Sequence, residues 1–175
     1  MAKKKLNPRR VPLAKSAIDK DRIIEEAMKD DMYHAWLLVA TVLVDLEYAK
    51  PEEIQGLCDQ VNLFSKNEAT KDAMDRADKL MGIGSKPRLN IDRVTSPIEL
   101  TKFKKKVERI ALHTSLAVIC LGLESIGKYN NNDLKRIFLS ADLTQAEIDA
   151  GTDSYDNLER QLLNRMVSIE LEADM

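Results

Sequence analysis

The chain has little of what organises small secreted or β-rich proteins: among 175 residues there are two cysteines, six glycines, five prolines, three phenylalanines and one tryptophan. Cys58 and Cys120 stand apart with no Cys-x-x-Cys spacing, which excludes a disulfide framework and a thiolate zinc site. Scarce turn formers and aromatics, with no segment alternating at period two, argue against a β-sandwich. The longest apolar run, Ala35 to Val44, has ten residues, about half of the ~20 that span a bilayer. No apolar stretch follows the basic start, so it does not read as a secretory signal. A reducing cytoplasm and no membrane contact are the expectation. No Gly-rich phosphate loop, nucleophile elbow or zincin helix occurs. The chain therefore reads as a non-enzyme without cofactor or metal.

What is present is apolar periodicity. At 44% hydrophobic and 32% charged residues, the chain can fill a core, and its pattern predicts an all-α helical bundle of about six to seven helices, two of them long and central. The first runs from a loose capping box at Ser16 and Asp19 to as far as Ala49, with Met28, Met32, Ala35, Val39, Val42 and Leu46 on one face. Trp36 lies in its apolar half and reads as buried. Pro51 opens a second helix to about Lys66, and a third runs from Glu68 to Met81. After a linker at residues 82–96, the capping box Ser96-Pro97-Ile98-Glu99 opens the second long helix. Short helices are expected at Asp133–Leu139 and Thr144–Ala150, the latter capped by Thr144 and Glu147. A last helix from about Asp153 puts Leu158, Leu162, Met166 and Ile169 together.

Sliding the chain by 79 residues lays His34 on His113, Leu37 on Leu116 and Val39 on Val118; one inserted residue then brings Glu53-Ile54 onto Asp133-Leu134. This points to a tandem duplication of a three-helix unit, with residues 1–84 and 85–175 as its halves, either as two units or as one continuous domain.

Charge is balanced overall, 27 bases against 29 acids, but not along the chain. Lys3, Lys4, Lys5, Arg9 and Arg10 open it, and Lys102, Lys104, Lys105 and Lys106 form a second basic cluster, with Lys86, Arg88 and Arg93 before it. Such clusters are candidates for phosphate contact, although no aromatic residues interleave for stacking. The last third is acidic, and Asp149, Asp153, Asp156 and Glu159 are candidates for docking a partner protein, since acids on a helix face suit a basic surface. Asp30 and His34, four apart, are the one arrangement resembling a metal pair; Arg109, at the matching place before His113, would repel a cation. The carboxylate pairs Glu25-Glu26, Asp30-Asp31 and Glu52-Glu53 have the ordinary look of solvated helix faces.

The segment from Ala27 to Ser65, with the Pro-Arg start Asn7-Pro8-Arg9-Arg10, Ala35-Trp36, Val42-Leu43-Val44-Asp45, Glu47-Tyr48 and Leu57 before Val61-Asn62, resembles small helical proteins of unknown activity encoded in prophages of Gram-positive bacteria. The resemblance covers about the first 80 residues and carries no catalytic residues to transfer. It implies a phage context. The expected function is a phage or mobile-element protein that binds and regulates or inhibits a host macromolecular complex, such as a defence system. A nucleic-acid-binding accessory factor using the basic arms and a structural, oligomeric helical protein are the alternatives. A host or phage protein is the expected partner, and self-association is compatible with the long apolar faces.

Overall fold

A computed structural model describes residues 16–65, 71–81 and 97–171. It is all-helical: α1 (Ser16–Asp45), α2 (Ile54–Ser65), α3 (Lys71–Met81), α4 (Pro97–Ile126), α5 (Asn131–Asp149) and α6 (Tyr155–Asn164), with no strand among the described residues. A 3-10 turn, Pro51–Glu53, leads into α2.

Helices α1 and α4 are each 30 residues long and make the most extensive contact in the molecule. They run parallel. Near their starts Ile23 and Ala27 pack with Phe103, Val107 and Ala111, and just past their ends the rings of Tyr48 and Tyr129 meet edge to face at 6.2 Å. The short helices then mostly cross over: α2 and α3 pack on α4, whereas α5 and α6 pack on α1, with α5 also touching α3 and α4. Each long helix is thus covered by the short helices of the other half of the chain. One core, including Trp36, Leu43, Ile54, Met81, Leu123, Phe138 and Leu158, runs through both halves, so neither half encloses a core by itself.

Burial repeats along the chain at a spacing of 80 residues. From Asp31 to Asp45 and from Ala111 to Ser125 the sequence of buried, half-buried and exposed positions is the same except at Val118. Beyond the turn, Ile54, Leu57, Cys58 and Val61 correspond to Leu134, Ile137, Phe138 and Ala141, all buried. The turns match as well. Glu47 and Gly127, 80 apart, both take positive φ, 58° and 72°. Lys50 N–H donates to Glu53 Oε2 at 2.8 Å, and Asn130 N–H to Asp133 Oδ2 at 3.1 Å. Each acid so satisfies a helix-start donor. The spacing in the structure is 80 without insertion rather than 79, so Tyr33, not His34, corresponds to His113.

Three element boundaries differ from the sequence reading. Helix α1 stops at Asp45, where Glu47 turns the chain, leaving Leu46 exposed. The two short helices expected between Asp133 and Ala150 are one helix, α5: Ala141 is buried in its middle, and Thr144 Oγ1, instead of capping, donates to the Ser140 carbonyl at 3.1 Å. Helix α6 ends at Asn164, and Met166, with φ 62°, swings into solvent and off the face of Leu158 and Leu162. The α3 start expected at Glu68 and the whole of residues 82–96 lie outside the described residues.

Candidate functional site

The two histidines lie where outer helices meet the long ones, but not as a pair. His34 is stacked flat on Tyr155 of α6, ring centroids 3.8 Å apart and planes at 8°. Its Nδ1 is 3.5 Å from Asp31 Oδ1, so Asp31, one helical turn earlier, takes the place expected for the exposed Asp30. Asp31 is only 7% exposed, and its second oxygen has no hydrogen-bond partner. The Tyr155 hydroxyl donates to Gln145 Oε1 of α5. Burial first, then the charge of Asp31, pushes that phenol well above its ordinary range. One residue earlier, the Tyr33 hydroxyl donates to Glu159 Oε1 at 2.6 Å, and burial with this carboxylate raises its pKa to about 12. On the other side of the molecule His113 Nε2 meets Asp78 Oδ1 at 2.8 Å. Tyr33 with Glu159 and His113 with Asp78 are similar contacts, each joining a long helix to a carboxylate of the outer helix; Arg76 of α3 also meets Glu124 of α4 at 3.0 Å.

These contacts tie the outer helices to the long ones. Among the described residues no three His, Cys, Asp or Glu side chains gather where a metal ion could be held. Cys58 and Cys120 are buried, and desolvation pushes both thiols from 9.0 to about 12, far from a reactive thiolate. A cleft between α1, α6 and the chain after it, lined by Tyr33, Leu37, Glu159, Leu162, Val167 and Ile169, holds about 120 Å³. Sites for small molecules run to roughly 300–1,000 Å³. Of the carboxylate pairs, Glu26 faces Arg22 at 3.4 Å, and Glu53 is held below its ordinary pKa by the Lys50 N–H and then by Lys128.

The acidic candidates divide into two kinds. Asp153 accepts from the Ser154 N–H and from Asn157 Nδ2 at the start of α6, and Glu159 accepts from Tyr33. Both are occupied in the fold. Asp149, which accepts from Gln145 at 2.9 Å, and Asp156 are exposed. The same helices carry large apolar side chains that the core does not use: Leu139 at 50% and Leu143 at 68% exposure on α5, Leu163 at 56% on α6 and Met166 at 94% after it. At helical spacing Leu139, Asp142, Leu143, Ala146 and Asp149 form the outer face of α5, and Asp156 and Leu163 share a face of α6. Met166, expected on the apolar face of the last helix, is exposed because α6 stops at Asn164, and Leu163 lies off the face of Leu158 and Leu162.

Lys102, Lys104 and Lys105 are exposed and Lys106 half-buried on the first part of α4. Lys3, Lys4, Lys5, Arg9 and Arg10, like Lys86, Arg88 and Arg93, lie outside the described residues. Helix α4 over Glu99–Ile126 is long and apolar enough to cross a membrane, yet half of its most apolar window is buried in the fold; Leu112, Leu116, Ile119 and Leu123 face the core. Comparison of the chain with protein-family models, with curated proteins and with solved structures finds no match in any of the three.

Proposed function

We propose that this is a non-catalytic binding protein of phage or mobile-element origin, which docks on a host protein complex and regulates or inhibits it from the cytoplasm. The observation that carries the reading is the outer face of α5, where Leu139 and Leu143 stand exposed at helical spacing with Asp142 and Asp149, while Leu163 and Met166 are exposed, with Asp156, at α6. Exposed apolar anchors with acids around them suit a protein partner that is apolar at its centre and basic at its rim. The phage context rests on the resemblance of the first part of the chain, and the cytoplasmic setting on two buried, unpaired thiols.

We further propose that the chain arose by tandem duplication of a unit of one long and two shorter helices, with the long helices as the central pair. The 80-residue repeat of burial, the paired positive-φ turns and the crossed packing of the short helices support it.

Affinity capture tests the docking reading. The purified full chain, incubated with nuclease-treated bacterial lysate, should retain a host protein complex in stoichiometric amount. Leu143→Asp and Asp149→Lys together should abolish that retention without shifting the thermal midpoint. Retention that survives these changes, or no stoichiometric partner, would overturn it.

A further inference from the structure

The same positions of the two long helices carry opposite electrostatic designs. On α4, Lys102, Lys105, Lys106 and Arg109 recur at i, i+3, i+4 and i+7, which lines them up as one stripe. Lys102, Lys105 and Arg109 are exposed, and among the described residues none of the four is in an ion pair. Lys104 and Glu108 lie off the stripe with opposite charges, and the exposed Glu99 stands one turn before Lys102 at the head of the stripe. Eighty residues earlier, the corresponding stripe of α1 is Arg22, Glu25, Glu26 and Lys29, with Arg22 paired to Glu26 at 3.4 Å. That stripe sums to zero. Because α1 and α4 meet through corresponding faces, Ile23 and Ala27 against Phe103, Val107 and Ala111, corresponding stripes point to opposite sides of the pair. One side is neutral, and the other holds four positive charges with a single carboxylate, Glu99, at its head.

We infer that the α4 stripe is a binding surface for the phosphate backbone of double-stranded nucleic acid, read without regard to sequence. Seven residues of helix span about 10 Å. Over that length one strand of a duplex presents about three phosphates, so the four cations match a single strand edge. Four lysine and arginine side chains without carboxylate partners neutralise phosphates and release counterions, whereas no aromatic ring stands in the stripe to stack on an unpaired base; Phe103 is buried in the α1–α4 contact. An acidic protein is the competing occupant. The uniform spacing and lack of any apolar anchor among the four favour a regularly charged backbone over a protein surface, whose centre is apolar. The stripe uses none of the residues of the α5–α6 face, so the inference goes beyond the docking reading and fails or stands independently of it.

Fluorescence anisotropy with the full chain and a duplex of about 20 base pairs of arbitrary sequence at about 50 mM salt tests it. Wild type should bind, and replacing Lys102, Lys105, Lys106 and Arg109 together by Gln should weaken binding at least tenfold. The slope of log affinity against log salt should become shallower by about 2 to 3, the share of about three phosphates. Arginine at all three lysines should keep the affinity, and Arg22→Gln with Lys29→Gln should change it less than twofold. Failure of wild type to bind, undiminished binding by the Gln variant, or equally tight binding of polyglutamate would overturn the inference.

Discussion

The two halves solve one packing problem with different residues. Where α2 crosses α4, Val61 sits against Gly122 so closely that a Cβ on the glycine would lie 2.7 Å from both valine methyl carbons. Eighty residues along, the corresponding positions are Ala141 on α5 and Val42 on α1: the small residue has moved to the short helix and the larger one to the long helix. At the turn, the first half accepts positive φ at Glu47 and the second has Gly127. At the helix start, a Lys–Glu pair in one half answers an Asn–Asp pair in the other. Burial and backbone shape match where residue identity and size do not. Outside the shared core the halves part, most clearly in the charges on α1 and α4.

Alkaline titration perturbs both halves at once. Burial raises Cys58 and Cys120 from 9.0, and Tyr33 and Tyr129 from 10.0, to about 12, and moves Tyr155 in the same direction. Groups whose folded pKa is raised stabilise fully below their unfolded pKa, and that stability disappears as pH climbs through the folded value. Stability should therefore fall progressively from about pH 9 toward 12. Since these groups belong to one core, circular dichroism should show a single transition, and two separated steps would mean that the halves melt apart.

Leu43→Ala and Leu123→Ala remove fully buried side chains 80 residues apart; each should cost about 2–5 kcal/mol in urea unfolding, and the two costs should agree more closely with each other than with other core leucines. Gly122→Val should cost about 1–3 kcal/mol by overpacking against Val61. Adding Val61→Ala writes the residues of the α1–α5 pair into the α2–α4 contact and should recover most of that loss. If it recovers nothing, the crossings are not equivalent. Smaller still, Gly127→Ala should destabilise by about 1–2 kcal/mol, since the αL backbone alone resists a side chain there and no neighbouring atom does. Glu47→Gly should gain up to about 1 kcal/mol by the same argument. Thermal melts at matched pH check both.

Much of this fold is legible in the chain before any coordinates. The apolar spacing from Met32 to Leu43 and from Leu112 to Leu123 marks the buried halves of α1 and α4, and Pro51 and Pro97 mark helix starts. What is not legible depends on tertiary contact. Thr144 and Glu147 look like a cap, but burial of Ala141 carries the helix through them. The crossed arrangement leaves no local trace, because a stripe such as Ile54, Leu57, Cys58 and Val61 fits either long helix equally well. The candidate site behaves likewise: Asp149 and Asp156 are exposed, while Asp153 and Glu159 are held by residues that only the fold brings near. The basic cluster is visible by composition. That Lys102, Lys105, Lys106 and Arg109 form one stripe, answered by a neutral one on α1, needs the helix and its partner.

The crossed packing of the halves is most directly tested by methyl nuclear Overhauser effects from Val61 in the full chain at neutral pH. The structure requires strong cross-peaks from both Val61 methyls to the Gly122 Hα protons, with Tyr48 and Tyr129 ring protons also in contact. Cross-peaks from Val61 to Val42 of α1 in their place would show that each long helix is covered by its own short helices, contrary to this account.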